Sequence, residues 1–438
     1  MWKLYFKQAW QMMKQQRLFS ALYILGTGLA IAMTLVVVLI YYVKIAPIYP
    51  EVNRGRTLYI QTISFKKDGS QWQNAASYQA VKEWFYPLKN AQAVSASLMD
   101  QRSENSYIQP EDRSGDFKVK TQFVDPAFFR IYEFSFYEGG PFTEAEWQGG
   151  LPVAVITDVL AKRLFGTTTG VVGRRFSMNF VEYRVGGVVR AASYLMSDSF
   201  ADVYLPYTVV PGYDQVRIPQ LTYVGPFDLT FLVKDDAQAE ALKQEVNEMV
   251  RKINLQQGES GWQVNLYNQP RSHLLKVFQG WDFYEEFDVW ATARQLLLIV
   301  LVLLLVPSLN LSGMIASRME GRLAEMGVRK SFGANRKVLL MQVMWENLLL
   351  TLLGGALGMV LSWLAVYAGR DWVFMMMDDW AILAPAEVEV ALSADMLLAP
   401  LVFLAALLVC LFINVLSALI PAWHSLREPI VKSLNEKL

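Results

Sequence analysis

The chain is poor in the residues that metal centres and hydrolytic sites need. Of its 438 residues, one is cysteine, Cys410, and two are histidine, His273 and His424. A lone cysteine leaves no intrachain disulfide to staple a domain, and Cys410 sits in an apolar run, where it reads as a small filler. There is no Cys/His cluster, no H-E-x-x-H and no G-x-S-x-G, so neither a zinc site nor a serine-hydrolase triad of the usual kind is expected. The phosphate loop G-x-x-x-x-G-K-[ST] is missing as well. Its nearest approach, Gly166-Thr-Thr-Thr-Gly170-Val-Val-Gly173, lacks the Lys-Ser/Thr end and reads as a turn between a helix and a strand. The chain is not expected to hydrolyse ATP by itself, to bind a metal, or to hold a cofactor.

Charge is missing from four long stretches, between Arg17 and Lys44, Arg294 and Arg318, Glu346 and Arg370, and from Met396 to Trp423. A helix crosses the hydrocarbon in roughly 20 apolar residues. Four spans are therefore predicted, at 18–44, 294–317, 347–369 and 396–423. No ionisable group falls well inside them, so no ion path is expected. Asn310 and Asn414 read as helix–helix hydrogen-bonding groups, and Pro307 predicts a kink. Gly354, Gly355 and Gly358 contain a G-x-x-x-G that lets helices pack closely.

Basic residues sort to one side. Lys3, Lys7, Lys14 and Arg17 precede the first span; Arg318, Arg322, Arg329, Lys330, Arg336 and Lys337 lie between the second and third; Arg427, Lys432 and Lys437 follow the fourth. The 370–395 loop is acidic instead. The positive-inside rule then puts both ends in the cytoplasm and residues 45–293 outside. Overall charge is zero, 40 basic against 40 acidic residues, and no nucleic-acid partner is expected. Residues 1–17 read as an amphipathic helix lying among the inner headgroups, with Trp2, Tyr5, Phe6, Ala9, Trp10 and Met13 facing the lipid. The first span reads as an uncleaved anchor.

The external segment is long enough to bury a core of its own. Strands are predicted at Thr57–Phe65, Ala93–Leu98, Asp228–Val233 and Trp262–Leu266, with helices at Ser77–Leu88 and Ala237–Ile253. These βαβ-like units suggest an α/β lobe interrupted by a strand-rich insertion at about 110–220. Within the insertion, Val153–Ile156 reads as a buried strand and Thr157 as the cap of a helix over Asp158–Phe165 that Gly166 ends. Phe176–Met178 and Val181–Val185 form a hairpin around Asn179-Phe180. A second amphipathic helix, Trp281–Arg294, is expected to run without a break into the second span.

The cytoplasmic loop 318–346 is the most specific segment. Arg322-Leu-Ala-Glu325-Met326-Gly327-Val328-Arg329-Lys330-Ser-Phe-Gly333-Ala334 orders a glutamate and glycines among its basic residues, which the positive-inside rule alone does not require. It resembles the R-x-x-E-[IM]-G-[IV]-R-[KR]-[AS]-x-G-A pattern of the MacB/FtsX-type permeases of ABC transporters. Glu346 and Gly354-Gly355 downstream match, as do Pro421-Ala422 and Glu428-Pro429-Ile430. Outside, Asp125-Pro-Ala-Phe-Phe129, Gly139-Gly140-Pro-Phe142, Val153–Ile156, Ala161-Lys-Arg-Leu-Phe-Gly166, Gly173 and Val185-Gly-Gly-Val-Val189 resemble the MacB-like periplasmic core in order and spacing. Asn53-Arg54-Gly55-Arg56-Thr57-Leu58-Tyr59 is similar to a Bacteroidetes-type variant.

The resemblance implies a four-helix membrane protein carrying a large α+β periplasmic domain between helices one and two, in the bacterial inner membrane. MacB itself carries a fused ATPase. Here the resemblance implies a separate ABC ATPase holding ATP and Mg, and a second permease copy. It also implies mechanotransmission, in service of efflux of peptides or antibiotics or of lipoprotein release, with a periplasmic adaptor and outer-membrane channel among the possible partners. Arg322, Glu325, Met326, Gly327, Val328, Arg329, Lys330, Gly333 and Ala334 would couple to the ATPase, Met326 and Val328 supplying apolar contact. The rivals are an ATPase-coupled periplasmic sensor, a regulator of a cell-wall hydrolase, and an intramembrane enzyme; the last lacks buried nucleophile, base or metal ligands.

Overall fold

The computed structural model describes residues 2–100, 103, 106–109, 116–215, 222–256, 261–280, 287–320, 325, 328–329, 331–369 and 400–427. It divides into two bodies. One, the helical body, holds the described residues of 2–42, 288–369 and 400–427; the other, called the external body after its expected side, holds those of 43–287.

The chain starts with α1 (Trp2–Gln15), and a single non-helical residue, Gln16, separates it from α2 (Arg17–Ile45). In the external body follow β1 (Thr57–Ile60), β2 (Ile63–Lys67), β3 (Ser70–Ala76), α3 (Tyr78–Ala80), β4 (Ala93–Leu98), β5 (Ser106–Gln109), β6 (Phe117–Val119) and β7 (Thr121–Val124). After them come α4 (Phe128–Ile131), β8 (Phe136–Gly139), α5 (Glu144–Gln148), β9 (Val153–Thr157), α6 (Asp158–Phe165), β10 (Arg175–Met178), β11 (Val181–Val189) and β12 (Val203–Pro206). The body closes with β13 (Val224–Gly225), β14 (Phe227–Leu232), α7 (Asp236–Gln256), β15 (Gln263–Asn265), β16 (Arg271–Ser272) and α8 (His273–Gln279).

The central strand is β14. Both β1 and β4 pair with it antiparallel, so they run parallel to each other with α3 between them, a split βαβ unit. Its alternation is two-sided. Phe227, Leu229 and Phe231 enter the main core, while Asp228 and Thr230 turn to the other face, where Thr230 lies opposite Tyr59 of β1.

The expected division into an α/β lobe and a separate strand-rich lobe does not describe the packing. The sheet runs on from β4 to β7 and through β12, β9, β11 and β10 to β5 and β6. One core cluster takes Leu58 and Phe231 together with Phe117, Val185 and Leu205. The strand expected over Thr57–Phe65 is two strands. The Gln269 side chain breaks it, taking the main-chain N–H of Gln61 at 2.7 Å and of Thr62 at 3.3 Å and donating to the Thr62 carbonyl at 2.8 Å. The helix expected to stop near Pro87 is α3, capped by Ser77, continued by a π turn over Val81–Phe85.

The glycine pairs that carried the resemblance meet each other. Gly139 of β8 pairs with Gly187 of β11. A Cβ on Gly187 would lie 2.4 Å from the Gly140 carbonyl oxygen, and one on Gly139, at φ +67°, would lie 2.2 Å from the Gly186 carbonyl oxygen. Only glycine on both strands permits that approach.

The helical body adds α9 (Val289–Glu320), α10 (Arg336–Ala368) and α11 (Pro400–Arg427). Among the described residues, Arg17–Ile45 and Arg336–Ala368 are long and apolar enough to cross a membrane, and Val289–Leu303 and Phe403–Leu416 are shorter apolar stretches. The expected unbroken helix over Trp281–Arg294 is corrected at its described end. Phe287 and Asp288 are not helical, and Asp288 caps α9 through its Oδ1 on the Ala291 N–H at 2.9 Å. Residues 281–286 lie outside the described residues, as do the acidic loop 370–395 and residues 428–438 of the tail. α9 is helical through Pro307; the side chains of Pro307 and Asn310 are not described.

Candidate functional site

Two places concentrate polar chemistry. The first is the segment between α9 and α10. Its described residues Glu325, Val328, Arg329 and Ser331 are helical, Gly333 turns at φ +88°, and Asn335 caps α10. Arg329 reaches both ways: Nη2 to Glu325 Oε1 at 2.6 Å, one turn back, and Nη1 to Gln342 Oε1 at 2.7 Å on α10. An ion pair this exposed adds little stability; what it does is fix the segment's pitch against α10. Ala334 packs beside the buried cluster of Tyr23, Ile315, Met319, Leu339 and Val343. Val328 is exposed, and Phe332, four residues on and so on the same side of a helical turn, is 88% exposed. Phe332 was not singled out by sequence; its i, i+4 spacing from Val328 was the available signal. Arg322, Met326, Gly327 and Lys330 lie outside the described residues.

Behind this segment, α10 packs closely on α2. A Cβ on Gly354 would lie 2.9 Å from Thr27 Cβ, and one on Gly358 would lie 2.7 Å from the Gly28 carbonyl oxygen. Gly355 faces Leu407 of α11 instead.

The second place is where α2 ends in the external body. A helix terminus leaves its last carbonyls without intrahelical donors. Arg54 supplies Nη1 to the carbonyls of Val43 at 2.7 Å and Ala46 at 2.9 Å. His273, opening α8, lies with Nε2 2.8 Å from the Lys44 carbonyl. A carbonyl only accepts, so Nε2 carries the proton and Nδ1 takes the Tyr59 hydroxyl hydrogen, 3.2 Å away. Burial, then the nearby Arg54 guanidinium, hold the imidazole down to about 4, so it is neutral.

Arg54 is itself held. Its Nε donates to Glu51 Oε2 at 2.8 Å, and Glu51 Oε1 accepts from Ser199 Oγ at 2.7 Å. Glu51 is 2% exposed and Arg54 4%. Burial pushes the Glu51 carboxyl up against the pull of Arg54. Next to this pair, Lys276 of α8 is bridged to Asp198 and stands 4.2 Å from the Tyr59 ring. Burial opposes the charge of Asp198, but Lys276 outweighs it and holds the carboxyl below its usual range. Asp228 has no such partner. The residue is partly buried, its Oδ1 is sealed from solvent without a hydrogen bond, and burial pushes the carboxyl up to about 7.

The Asp125 of the Asp-Pro-x-Phe-Phe motif is structural. Its carboxylate accepts from Tyr86 Oη at 2.7 Å, Ser95 Oγ at 2.8 Å, and the main-chain N–H groups of Ala96 and Phe128. Among the described residues no group of three or more His, Cys, Asp or Glu side chains could hold a metal.

Residues 20–249 match the model of the MacB-like periplasmic core domain, and residues 297–430 that of the FtsX-like permease C-terminal domain. The macrolide export ATP-binding/permease protein MacB of Escherichia coli strain K12 is 24% identical over 369 residues, 82% of this chain and 52% of the relative. MacB of Escherichia coli O157:H7 is 23% identical over the same length. The chain thus spans about half the length of these relatives. Among solved structures, the periplasmic region of MacB from Actinobacillus actinomycetemcomitans is 14% identical with a TM-score of 0.28, covering 48% of this chain and 89% of that one. The extracellular domain of the transporter YknZ from Gram-positive bacteria is 14% identical with a TM-score of 0.30, covering 47% and 99%. With a periplasmic-core model matching more than half its length and the permease model following it, the chain belongs to the MacB/FtsX-type ABC transporter permeases.

Proposed function

We propose that this chain is the membrane subunit of an ABC system in which a separate ATPase, carrying ATP and Mg, drives movement of the periplasmic domain. In this reading α2, α9, α10 and α11 are four spans in the bacterial inner membrane, with the basic flanks in the cytoplasm and the external body in the periplasm. The segment 322–334 receives the ATPase, with Glu325 and Arg329 holding its pitch and Val328 and Phe332 as apolar anchors. A second permease copy completes the unit. A periplasmic adaptor and an outer-membrane channel are the further partners for efflux; lipoprotein release would dispense with the channel. The name of the relatives makes a macrolide the first cargo to test.

The observation that carries this reading is the holding of α2 at its external end. Three carbonyls at the last turn, of Val43, Lys44 and Ala46, accept from Arg54 at the entrance of the external body and from His273 at its exit. A helix held so firmly at its end passes displacement on to the sheet.

The test is on the cytoplasmic side. Glu325→Lys removes the carboxylate partner of Arg329 and reverses a charge, and Gly327→Trp adds bulk where close approach is expected. A broken interfacial charge pair costs roughly 2–5 kcal/mol. Both variants are expected to insert normally, to lose the co-purifying ATPase and to lose permease-stimulated ATP turnover in nanodiscs. Wild-type recovery and turnover in both would remove this segment as the coupling element.

A further inference from the structure

In the layer beneath α8, one carboxyl has no cation bridged to it. Glu51 and Arg54 neutralise each other, as do Asp198 and Lys276. Asp228 faces the same layer from β14 and brings a third carboxyl with no cation bridged to it. Thr230 shares its face of β14 and Ser97 lies opposite on β4; Lys276 and Asp198 are the charges that act on it, and Tyr132, Tyr59, His273 and the Glu51–Arg54 pair are linked to Asp198 in turn. Arg271 of β16 places Nη2 on Gln61 Oε1 and on the Gly280 carbonyl, each at 2.8 Å, and the charges that act on Asp228 are those of Lys276 and Asp198. His273 carries its only proton on Nε2, toward Lys44, and has none to give to Asp228.

We propose that Asp228, Asp198 and Lys276 form a proton-operated latch on α8, and through His273 on the external end of α2. With a proton on Asp228, Lys276 serves Asp198 alone, and α8 holds the Lys44 carbonyl. When that proton leaves to external water, two carboxylates face one ammonium. The Asp228 Oδ1, sealed and without a donor, must then be hydrated or paired, and Lys276 is drawn from Asp198. Either response loosens α8. The elevated affinity of Asp228 for its proton places the change near neutral pH, inside the range an external compartment experiences. The proposal rests on reading the α2 end as the joint of a mechanical transporter: the latch would set how tightly the domain follows the helix.

The test uses the full chain in nanodiscs without any ATPase, so its result is independent of the coupling segment. Amide hydrogen exchange of the peptide covering His273–Gln279, corrected for the intrinsic rate, is compared at pH 6 and pH 8. In the wild type, protection is expected to fall by about an order of magnitude, following the tenfold change in ionisation ratio per pH unit. Asp228→Asn, nearly isosteric, is expected to keep the pH 6 protection at both values. Lys276→Gln is expected to leave the peptide weakly protected at both. A wild type flat between pH 6 and 8, an Asp228→Asn variant that keeps the wild-type fall, or a Lys276→Gln variant protected as wild type at pH 6 would each overturn the latch. A thermal scan at pH 8, where Asp228→Asn should melt no lower than wild type, checks that the variant is folded.

Discussion

The Nε2–H of His273 donates to the main-chain carbonyl of Lys44 at 2.8 Å, across 229 residues of chain. Arg54 does the same for Val43 and Ala46 from a few residues away. The end of α2 is thus capped by side chains drawn from both ends of the external body, where many helices use a local glycine.

Arg54→Met is expected to destabilise the external body by about 3–5 kcal/mol, because it strands the buried carboxylate of Glu51 as well as removing two caps. The double variant Glu51→Gln, Arg54→Met strands no charge and should recover a large part of that loss. Denaturant unfolding of the purified chain, read as a double-mutant cycle, checks this. A double variant as unstable as the single one would mean that the lost caps dominate over the stranded carboxylate.

Two buried groups should give opposite acid responses. The folded-state value of His273 is lowered to about 4 from 6.5, so its stability is present above 6.5 and lost as pH falls toward 4, by roughly 3 kcal/mol over the whole interval. The folded-state value of Asp228 is raised to about 7 from 3.8, so its contribution is greatest at low pH and is lost as pH rises toward 7. Between pH 4 and 6.5 the two oppose each other in the wild type. Asp228→Asn should expose the falling acid limb of His273, and His273→Gln the opposite slope. Thermal scans across pH 4–8 measure both.

Gly187→Ala is expected to cost at least ~1–3 kcal/mol, since its Cβ would strike the Gly140 carbonyl oxygen and neither strand can give way freely. Gly140→Ala is the matched control: a Cβ there meets nothing within 4 Å. Equal melting temperatures for the two variants would contradict the close strand contact.

Local signals were legible in the sequence wherever the cause was local. Thr157 caps α6 and Gly166 ends it at φ +71°, as the spacing required. Asn179-Phe180 turns the β10–β11 hairpin with both residues at positive φ. The misreadings have distant causes. Gln269 splits β1 from β2 from some 200 residues away, and the shared core of the external body joins segments that composition alone separates. The segment 322–334 stood out because its ordered glutamate and glycines exceed what topology demands; its coupling to an ATPase is a proposal. The capping of the α2 end was half-readable: Arg54 stood in the motif Asn53–Tyr59, while nothing around His273 names Lys44 as its partner. The register of β14, which turns Asp228 toward Lys276, is visible only once the strands are paired.

The long reach from Lys44 to His273 also has a consequence in time. Arg54 leaves the ribosome almost as soon as the helix it caps. His273 follows Lys44 by 229 positions, a delay of roughly 10–45 s at about 5–20 residues per second. During biosynthesis the first helix therefore carries its near cap alone, and its second donor arrives only when almost the whole external domain is available to fold. A nascent chain that stalls or misfolds before then leaves the Lys44 carbonyl without that donor, so closing this bond marks the domain as finished.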